Sequence, residues 1–354
     1  MVKIKRRKTK TIKIGKITVG SGHPVAVQSM TKTRTADIEN TLCQIAELEK
    51  AGCEIVRLAV KDEKDAAAIK KIKAGVKVPL VADIHFSWRL AIKAIENGAD
   101  KIRLNPGNIY KKEEVASVVG ALKSANIPLR IGLNSGSVRE AGAKSGMADR
   151  LVKSALSYIR MVEKSRFYDI VISLKASDVI ETIEAYRKIA RLCDYPLHLG
   201  VTATGSETNG TIKSGIALGV LLLDGIGDTI RVSLTAAPLQ EVGVARTILS
   251  SLGLRHFGPG IISCPTCGRC EVDLPGIVKE LENKLLTANP KLSTRPLSVA
   301  VMGCLVNGPG EAKAADIGVA FGSKEGLLFK KGKPVRKISA SKAGSILLKE
   351  IAEG

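Results

Sequence analysis

Apolar, mostly β-branched runs alternate with amphipathic stretches of helical length through the first two thirds of the chain. Eight such runs each end in polar or glycine residues: 25–31, 54–60, 79–85, 101–107, 129–136, 169–175, 197–202 and 229–235. Helix signals fill the seven gaps between them, with predicted starts at Asp37, Asp178 and, in the last gap, Ile212 after Asn209. Strands alternating with helices are typical of parallel βαβ units, and eight of them predict a closed (βα)8 TIM barrel, an α/β fold.

The two ends of the chain follow other patterns. Short alternating segments at 11–14 and 16–19 predict a hairpin around Gly15 that closes one end of the barrel. A helix over 238–252 leads out of the barrel, and 255–260 has the composition of a linker. Beyond it we expect a smaller α/β domain with a helix at 272–286, strands at 297–302 and 316–321, a hairpin at 326–338 and a last helix at 343–352. The predicted domains are therefore 1–254 and 255–354.

Polar residues cluster where the eight predicted strands end, which is the face that carries TIM-barrel active sites. Five of them are cations: Arg57, Arg103, Arg130, Lys175 and Arg231. Cations on inward positions repel one another unless a dense anion lies between them, and the guanidinium fork suits phosphate oxygens. This pattern predicts a phosphate or diphosphate site.

The same strand ends carry residues that are not cations. They are Gln28, Asp83, His85, Asn105, Asn134, Ser135, Thr202 and Ser233. Asp83 and His85 are two residues apart and so share one side of their strand. From that position His85 can donate a hydrogen bond or a proton to a bound substrate.

Four late cysteines form the second candidate site. Cys264, Cys267 and Cys270 are spaced by two residues, and Cys304 arrives from another segment, followed by Glu311 beyond a Gly-Pro-Gly sequence. Four thiolates can hold a ferredoxin-like cluster. Alternatively, three thiolates and a more exchangeable carboxylate leave one iron free to act as a Lewis acid. A structural zinc site is the third interpretation of this spacing.

The other three cysteines, Cys43, Cys53 and Cys193, lie in apolar patterns and are predicted to be buried, inert thiols. The formal net charge of +21 is compatible with nucleic acid, anionic surfaces, phosphorylated substrates or an acidic protein partner. Aromatic residues make up only 3%, which argues against base-stacking and nucleic-acid binding. No apolar run reaches the length of a membrane span, and no secretion signal is apparent, so we expect a cytoplasmic protein.

Sequence motifs along nearly the whole chain resemble the 4-hydroxy-3-methylbut-2-enyl diphosphate synthase family of the non-mevalonate isoprenoid pathway. The most specific are SCPTCGR at 263–269 and VMGCLVNGPGEA at 301–312. Further similar segments are VQSMT at 27–31, ADIHF at 82–86, IRLNPGNI at 102–109, RIGLNSGS at 130–137, SLKAS at 173–177 and GIGDTIRVSL at 225–234.

This resemblance implies a TIM barrel followed by an iron–sulfur domain of sulfite-reductase-like type. It implies an oxidoreductase that opens the ring of 2-C-methyl-D-erythritol 2,4-cyclodiphosphate and removes a hydroxyl, with two electrons passing through a [4Fe–4S] cluster. The implied cluster ligands are Cys264, Cys267, Cys304 and Glu311. The implied substrate-binding residues are Arg57, Arg103, Arg130, Asn134, Lys175, Arg231 and Ser233, with His85 and Asp83 beside them and Glu311 assisting catalysis.

The resemblance also implies an acidic flavodoxin or ferredoxin as electron donor and a head-to-tail homodimer. Two positions depart from the family pattern: Ala203 stands where many members have a glutamate that assists proton delivery, and Cys270 is not usual. Glu207, His85 or water are the alternative proton sources. The competing interpretation is a zinc-stapled or electron-carrier barrel protein that binds a different phosphorylated ligand.

Overall fold

The computed structural model describes residues 4–138, 145–286, 297–312 and 314–353. The chain divides into two compact units, Met1–Arg255 and His256–Gly354, which are described in turn.

A basic arm and a hairpin precede the barrel strands. Arg6 pairs with Asp228 at 2.8 Å, and Arg7 donates to the carbonyls of Ala190, Cys193 and Tyr195. The hairpin consists of β1 (Ile12–Ile14) and β2 (Ile17–Val19), which are antiparallel around a left-handed Gly15. Its apolar side chains pack in one cluster with the barrel residues Ala26, Ile55, Val81 and Val171. The prediction that the hairpin closes one end of the barrel is confirmed.

Eight parallel strands form the barrel. They are β3 (Ala26–Met30), β4 (Ile55–Val60), β5 (Leu80–Ile84), β6 (Lys101–Leu104), β7 (Leu129–Asn134), β8 (Ile170–Lys175), β9 (His198–Leu199) and β10 (Thr229–Ile230). Their order is β8-β7-β6-β5-β4-β3-β10-β9, and a parallel bridge between Ile172 and Leu197 joins the two ends. The predicted eight-stranded barrel is confirmed.

Helices follow each strand on the outside. They are α1 (Ile38–Lys50), α2 (Glu63–Gly75), α3 (Trp88–Glu96), α4 (Lys112–Ala125), α5 (Met147–Lys164), α6 (Val179–Leu192), α7 (Glu207–Leu223) and α8 (Pro238–Ser251). Asp37 and Asp178 cap α1 and α6 as predicted. Helix α7 begins earlier than predicted, because Ser206 caps it by accepting from the Asn209 amide. None of the described helices has the length and apolar character that a membrane crossing needs.

The strand register sorts the inward-facing side chains into layers, each formed by alternate strands. From the hairpin end upward we call three of them the lower, middle and arginine layers. The lower layer is Ile55, Lys101, Val171 and Thr229; the middle layer is Gln28, Val81, Arg130 and His198; the arginine layer is Arg57, Arg103, Ser173 and Arg231. Above them lie Met30, Asp83, Gly132 and Gly200. The apolar cluster with the hairpin closes one end of the barrel, and polar side chains appear in each of the three layers.

The second unit is a five-stranded sheet with three helices among its described residues. Its elements are β11 (Gly260–Ser263), α9 (Leu274–Leu286), β12 (Ser298–Met302), α10 (Gly308–Ala312), β13 (Ile317–Phe321), β14 (Glu325–Lys330), β15 (Lys333–Ser339) and α11 (Ala343–Glu353). Strands β11, β12 and β13 are parallel, whereas β14 and β15 are antiparallel. The prediction from the sequence did not include β11 and α10. The Gly-Pro-Gly segment suggested a turn, but proline is well tolerated in the first turn of a helix.

The three single cysteines differ from one another in exposure. Cys53 is buried as predicted, and burial raises the pKa of its thiol to about 12. Cys193 is only half-buried, and Cys43 is exposed, so the prediction of burial was wrong for Cys43. Cys43 lies on α1 between the buried Thr41 and Ile45, on the side of the helix that faces away from the core.

Candidate active site

Asp83 joins two side chains of the arginine layer. Its Oδ1 atom lies 2.9 Å from Arg103 Nη1, and its Oδ2 atom lies 3.7 Å from Arg57 Nε. Arg103 also donates through Nη2 to the Gly132 carbonyl at 2.8 Å. Burial by itself raises the pKa of Asp83, but the charges of Arg57, Arg103 and Arg130 oppose it and hold the pKa at about 2. Asp83 is therefore ionised near neutral pH, and it fixes the two guanidinium groups.

Glu241 is a second buried carboxylate of the site, and sequence reasoning missed it. It extends from the first turn of α8, where its two oxygens accept from Arg231 Nη2, both at 3.1 Å. It also accepts from the Ser29 hydroxyl and the Leu234 amide. A glutamate in a helix first turn resembles an ordinary dipole partner, so the sequence carried no signal for its inward orientation.

Two glycines leave room for the long cations. A Cβ added at Gly132 would lie 2.6 Å from Arg103 Nε, and one at Gly200 would lie 2.6 Å from Lys175 Nζ. Lys175 is only 6% exposed, and burial, together with the charges of neighbouring arginines, lowers the pKa of its ammonium well below the usual value. The absence of side chains at these two glycines therefore leaves the space that the Arg103 and Lys175 side chains occupy.

Positive charge exceeds negative charge in this part of the barrel. The five predicted cations lie inside it with Asp83 and Glu241 as their carboxylate partners. Burial lowers the pKa of Arg57 to about 10, and Arg231 and Arg103 add to that effect while Asp83 opposes it. Buried cations in excess of their partners are costly, and a multiply charged anion relieves that cost. The arrangement favours a ligand such as a diphosphate.

The uncharged candidates and His85 take different places around the mouth. His85 Nε2 lies 4.0 Å from Asp83 Oδ2 with about a third of its side chain exposed, while its carbonyl accepts from Asn108. Asn134 caps the short turn Ser135–Ser137, and Asn105 accepts from Gly107 and Ser137. The Ser233 carbonyl accepts from the Thr204 hydroxyl. His85 is thus partly exposed, as are Asn134, Ser135, Thr202 and Ser233. Asn105 is buried and organises the loop, and Gln28 lies deeper, in the middle layer.

Replacing Asp83 with asparagine is expected to lower the free energy of unfolding by about 3 kcal/mol near pH 7, because Arg57 and Arg103 lose their buried counter-charge. The pKa of Asp83 is lower in the folded chain than in the unfolded one. Its stabilisation is therefore full above pH ~4 and disappears as the pH falls toward 2. Urea unfolding of both proteins from pH 7 down to the acid limit of folding tests this, and a difference independent of pH would contradict it. Inorganic pyrophosphate should reduce the difference in free energy of unfolding between the two proteins at pH 7, because it supplies negative charge.

The cysteine segments meet at the end of β12 in the second unit. Cys264 follows β11, and its sulfur accepts from the Gly303 amide at 3.3 Å. A Cβ added at Gly303 would lie 2.6 Å from the Cys270 sulfur. Both sulfurs therefore adjoin the backbone that leads into Cys304, and only glycine fits between them.

Cys267 is exposed and Cys304 is partly exposed, and the pKa of each thiol is lowered. The pKa of Cys267 is lowered by hydrogen bonds from the Arg269 amide and then from its guanidinium. The pKa of Cys304 is lowered by the amides of Asn307 and Val306, with Arg269 adding its charge. A thiolate is the form of cysteine that binds metals.

The candidate ligands of the second unit lie on neighbouring segments. Cys264, Cys267 and Cys304 come from two adjacent segments, and Glu311 lies on α10, exposed and one turn after Asn307. Among the described side chains, no three of His, Cys, Asp or Glu converge where they could hold one metal ion. In a four-iron cluster each ligand binds a different iron, so its ligands need not converge on one point.

Comparison with known families accounts for both units. The GcpE TIM-barrel domain matches residues 9–246, and the GcpE protein C-terminal domain matches residues 260–353. The chain belongs to the GcpE family. It is 52% identical over 350 residues to a protein of Fusobacterium nucleatum named 4-hydroxy-3-methylbut-2-en-1-yl diphosphate synthase (flavodoxin), with 98% of each chain covered. It is 54% identical over 354 residues to a protein of the same name from Caldanaerobacter subterraneus, covering 99% of this chain and 98% of that one.

Solved structures support the barrel assignment alone. Dihydropteroate synthase from Xanthomonas albilineans aligns with a TM-score of 0.51 at 12% identity, over 70% of this chain and 99% of its own. The Yersinia pestis dihydropteroate synthase gives a TM-score of 0.50 at 10% identity, over 69% of this chain and 98% of that one. Identities this low carry the fold and no chemistry.

Proposed function

We propose that this chain catalyses the two-electron reductive ring opening and dehydroxylation of 2-C-methyl-D-erythritol 2,4-cyclodiphosphate to (E)-4-hydroxy-3-methylbut-2-enyl diphosphate. The observation that carries the proposal is family membership along nearly the whole chain, with relatives of that name at about half identity. The excess of buried cations at the barrel mouth supports it, because the substrate is a diphosphate. The protein is an oxidoreductase.

Arg57, Arg103, Arg231 and Lys175 bind the diphosphate, and Arg130 supports it from the middle layer. Asp83 and Glu241 hold the guanidinium groups in place before substrate arrives, so little ordering cost remains at binding. The same charges neutralise the phosphates and position the carbon–oxygen bond that breaks. Because the apolar cluster with the hairpin closes the opposite end of the barrel, the substrate enters from the mouth.

Cys264, Cys267, Cys304 and Glu311 are proposed to hold a [4Fe–4S] cluster. When bound, such a cluster delivers electrons singly to the substrate at a potential that hydrogen bonds to the cysteine sulfurs help to set. The Gly303 amide beside Cys264 and the Arg269 groups beside Cys267 are hydrogen-bond donors of that kind.

The departing hydroxyl needs a proton to leave as water. His85 is placed for this role because its imidazole is partly exposed at the mouth, 4.0 Å from Asp83. Asp83 is a poor proton donor, since its pKa of about 2 keeps it ionised, and it acts by orienting its neighbours. Ala203 follows β9 in a left-handed conformation and offers no proton, while Glu207 is exposed at the start of α7. We therefore assign proton delivery to His85.

A flavodoxin is the proposed electron donor, as the names of the relatives indicate. The net charge of +21 attracts an acidic donor and speeds its encounter. We also propose that two copies associate head to tail, so that the second unit of one chain serves the barrel of the other. Exposed apolar residues beside each candidate site support this: Phe86 next to His85, and Leu305 and Val306 next to Cys304, are 76%, 52% and 67% exposed.

Purification without oxygen tests the proposal. The protein should contain about four irons and four sulfides per chain, absorb visible light, and convert the cyclic diphosphate with reduced flavodoxin. Phosphorus NMR follows the ring opening directly. A colourless protein with one zinc per chain, inert toward this substrate after cluster reconstitution, would contradict it. Conversion of a different phosphorylated compound would contradict the substrate assignment alone.

A further inference from the structure

A group of buried polar atoms without partners lies beneath the proposed diphosphate site. Among the described residues, Gln28 Oε1 and Nε2, Lys101 Nζ, His198 Nε2, and Arg130 Nε and Nη1 are buried and make no hydrogen bond. All four side chains are at most 1% exposed. They belong to the middle and lower layers, so they sit together inside the barrel, toward the hairpin end.

Buried polar atoms in folded proteins almost always have a partner, either protein, water or ion. Six unpaired atoms in one place therefore indicate an occupant. Hydrogen-bond donors outnumber acceptors among these six atoms. Gln28 Oε1 is an acceptor, while the Arg130 and Lys101 nitrogens and the Gln28 amide nitrogen are donors.

His198 carries the sixth unpaired atom. Its Nδ1 atom lies 2.8 Å from the Thr229 hydroxyl. The unpaired Nε2 atom is a donor in the tautomer in which that hydroxyl donates to Nδ1, and an acceptor in the other tautomer. Burial lowers the pKa of His198 well below its usual value, followed by the charges of Arg130, Lys175 and Lys101, so the ring is neutral.

The geometry points to a second anion site, in which Gln28, Lys101, Arg130 and His198 enclose a small monovalent anion of chloride size below the diphosphate site. A water molecule accepts from two donors and carries no charge, whereas an anion accepts from several donors and offsets the buried cations, so a donor-rich, cationic enclosure favours an anion. The charge of Lys101 also favours an anion. Burial, followed by the charges of Arg130 and Arg57, lowers the pKa of Lys101 well below its usual value. A bound anion would favour the ammonium form of Lys101.

The proposed anion site lies deeper in the barrel than the diphosphate site. Arg57, Arg103 and Arg231 lie one layer above Gln28, Arg130 and His198, and two layers above Lys101. Arg130 adjoins both sites. A chloride below it would hold the Arg130 guanidinium from the hairpin side. This inference does not depend on the reaction or the cluster proposed above.

Chloride titration of the full chain tests the site. In gluconate buffer of constant ionic strength, sodium chloride should raise the melting temperature saturably, and gluconate alone should not. Lys101→Met and Gln28→Leu should weaken the chloride affinity at least about tenfold, because each removes a donor. Lys101→Met should melt at or above the wild-type temperature without chloride, since it removes an unpaired buried amine. Lys70→Met, on the exposed face of α2, is the control for loss of a charge.

Two further measurements locate the anion. Saturating inorganic pyrophosphate should occupy the upper cations and leave the chloride effect in place. Crystals soaked in bromide should show an anomalous peak between Lys101 and Arg130. The proposal is overturned if chloride has no saturable effect on the wild type, if Lys101→Met and Lys70→Met respond to chloride alike, or if pyrophosphate abolishes the effect.

Discussion

Cys304→Ala purified without oxygen is expected to lose the brown colour, to contain less than about one iron per chain, and to lose all measurable turnover. Cys304 supplies one of three proposed thiolates, and its pKa is already lowered by the amides of Asn307 and Val306. Iron and sulfide assays with electron paramagnetic resonance of the reduced protein report the cluster independently of activity.

Cys270→Ala is the matched control for that experiment. Cys270 packs against Gly303 and donates to the Val272 carbonyl, but we do not assign it to the cluster. The alanine variant should keep four irons and most of its activity, with a modest loss of stability from the small cavity. Cluster loss in Cys270→Ala together with cluster retention in Cys304→Ala would refute the ligand assignment and favour a different set of four.

Arg103→Met is expected to lower kcat/KM for the cyclic diphosphate by about 10²–10³-fold, since it removes charge-assisted hydrogen bonds to phosphate. The substitution also removes one of the two arginines that pair with Asp83. More of the negative charge of Asp83 is then uncompensated, so the affinity for pyrophosphate should fall as well. The iron content should stay at the wild-type value, because Arg103 belongs to the barrel unit. Steady-state kinetics and calorimetry with pyrophosphate measure the two effects.

Arg191→Met controls for the loss of one positive charge, because Arg191 is exposed in the last turn of α6. Its kcat/KM and pyrophosphate affinity should equal those of the wild type. If the two methionine variants bind pyrophosphate equally well, Arg103 has no part in a phosphate site.

Mixing the Cys304→Ala and Arg103→Met proteins, one inactive and one strongly impaired, tests the head-to-tail dimer. A Cys304→Ala chain keeps an intact barrel, and an Arg103→Met chain keeps an intact second unit. If active sites form between chains, mixed dimers should recover part of the activity after subunit exchange. Persistent inactivity in mixtures shown to contain mixed dimers would mean that each chain serves its own barrel.

The fold class and most of the elements can be predicted from local sequence patterns. Apolar, mostly β-branched runs bounded by polar and glycine residues predicted all eight barrel strands, and cap residues such as Asp37 and Asp178 predicted helix starts. These features are local, so they can be recognised without knowing what packs where. The cysteine motifs and strand-end arginines likewise stand out as residue types at set spacings.

The electrostatics of the barrel depend on how distant elements pack together. Glu241 resembles a surface residue of a helix first turn, yet it is buried and paired with Arg231 from another element. Lys101 and His198 carried no sequence signal either, because their burial depends on strand register around a closed barrel. Pairing between distant carboxylates and cations, and the depth at which each charge lies, come only from three-dimensional packing. That packing, rather than any motif, sets which groups remain charged and which still lack a partner.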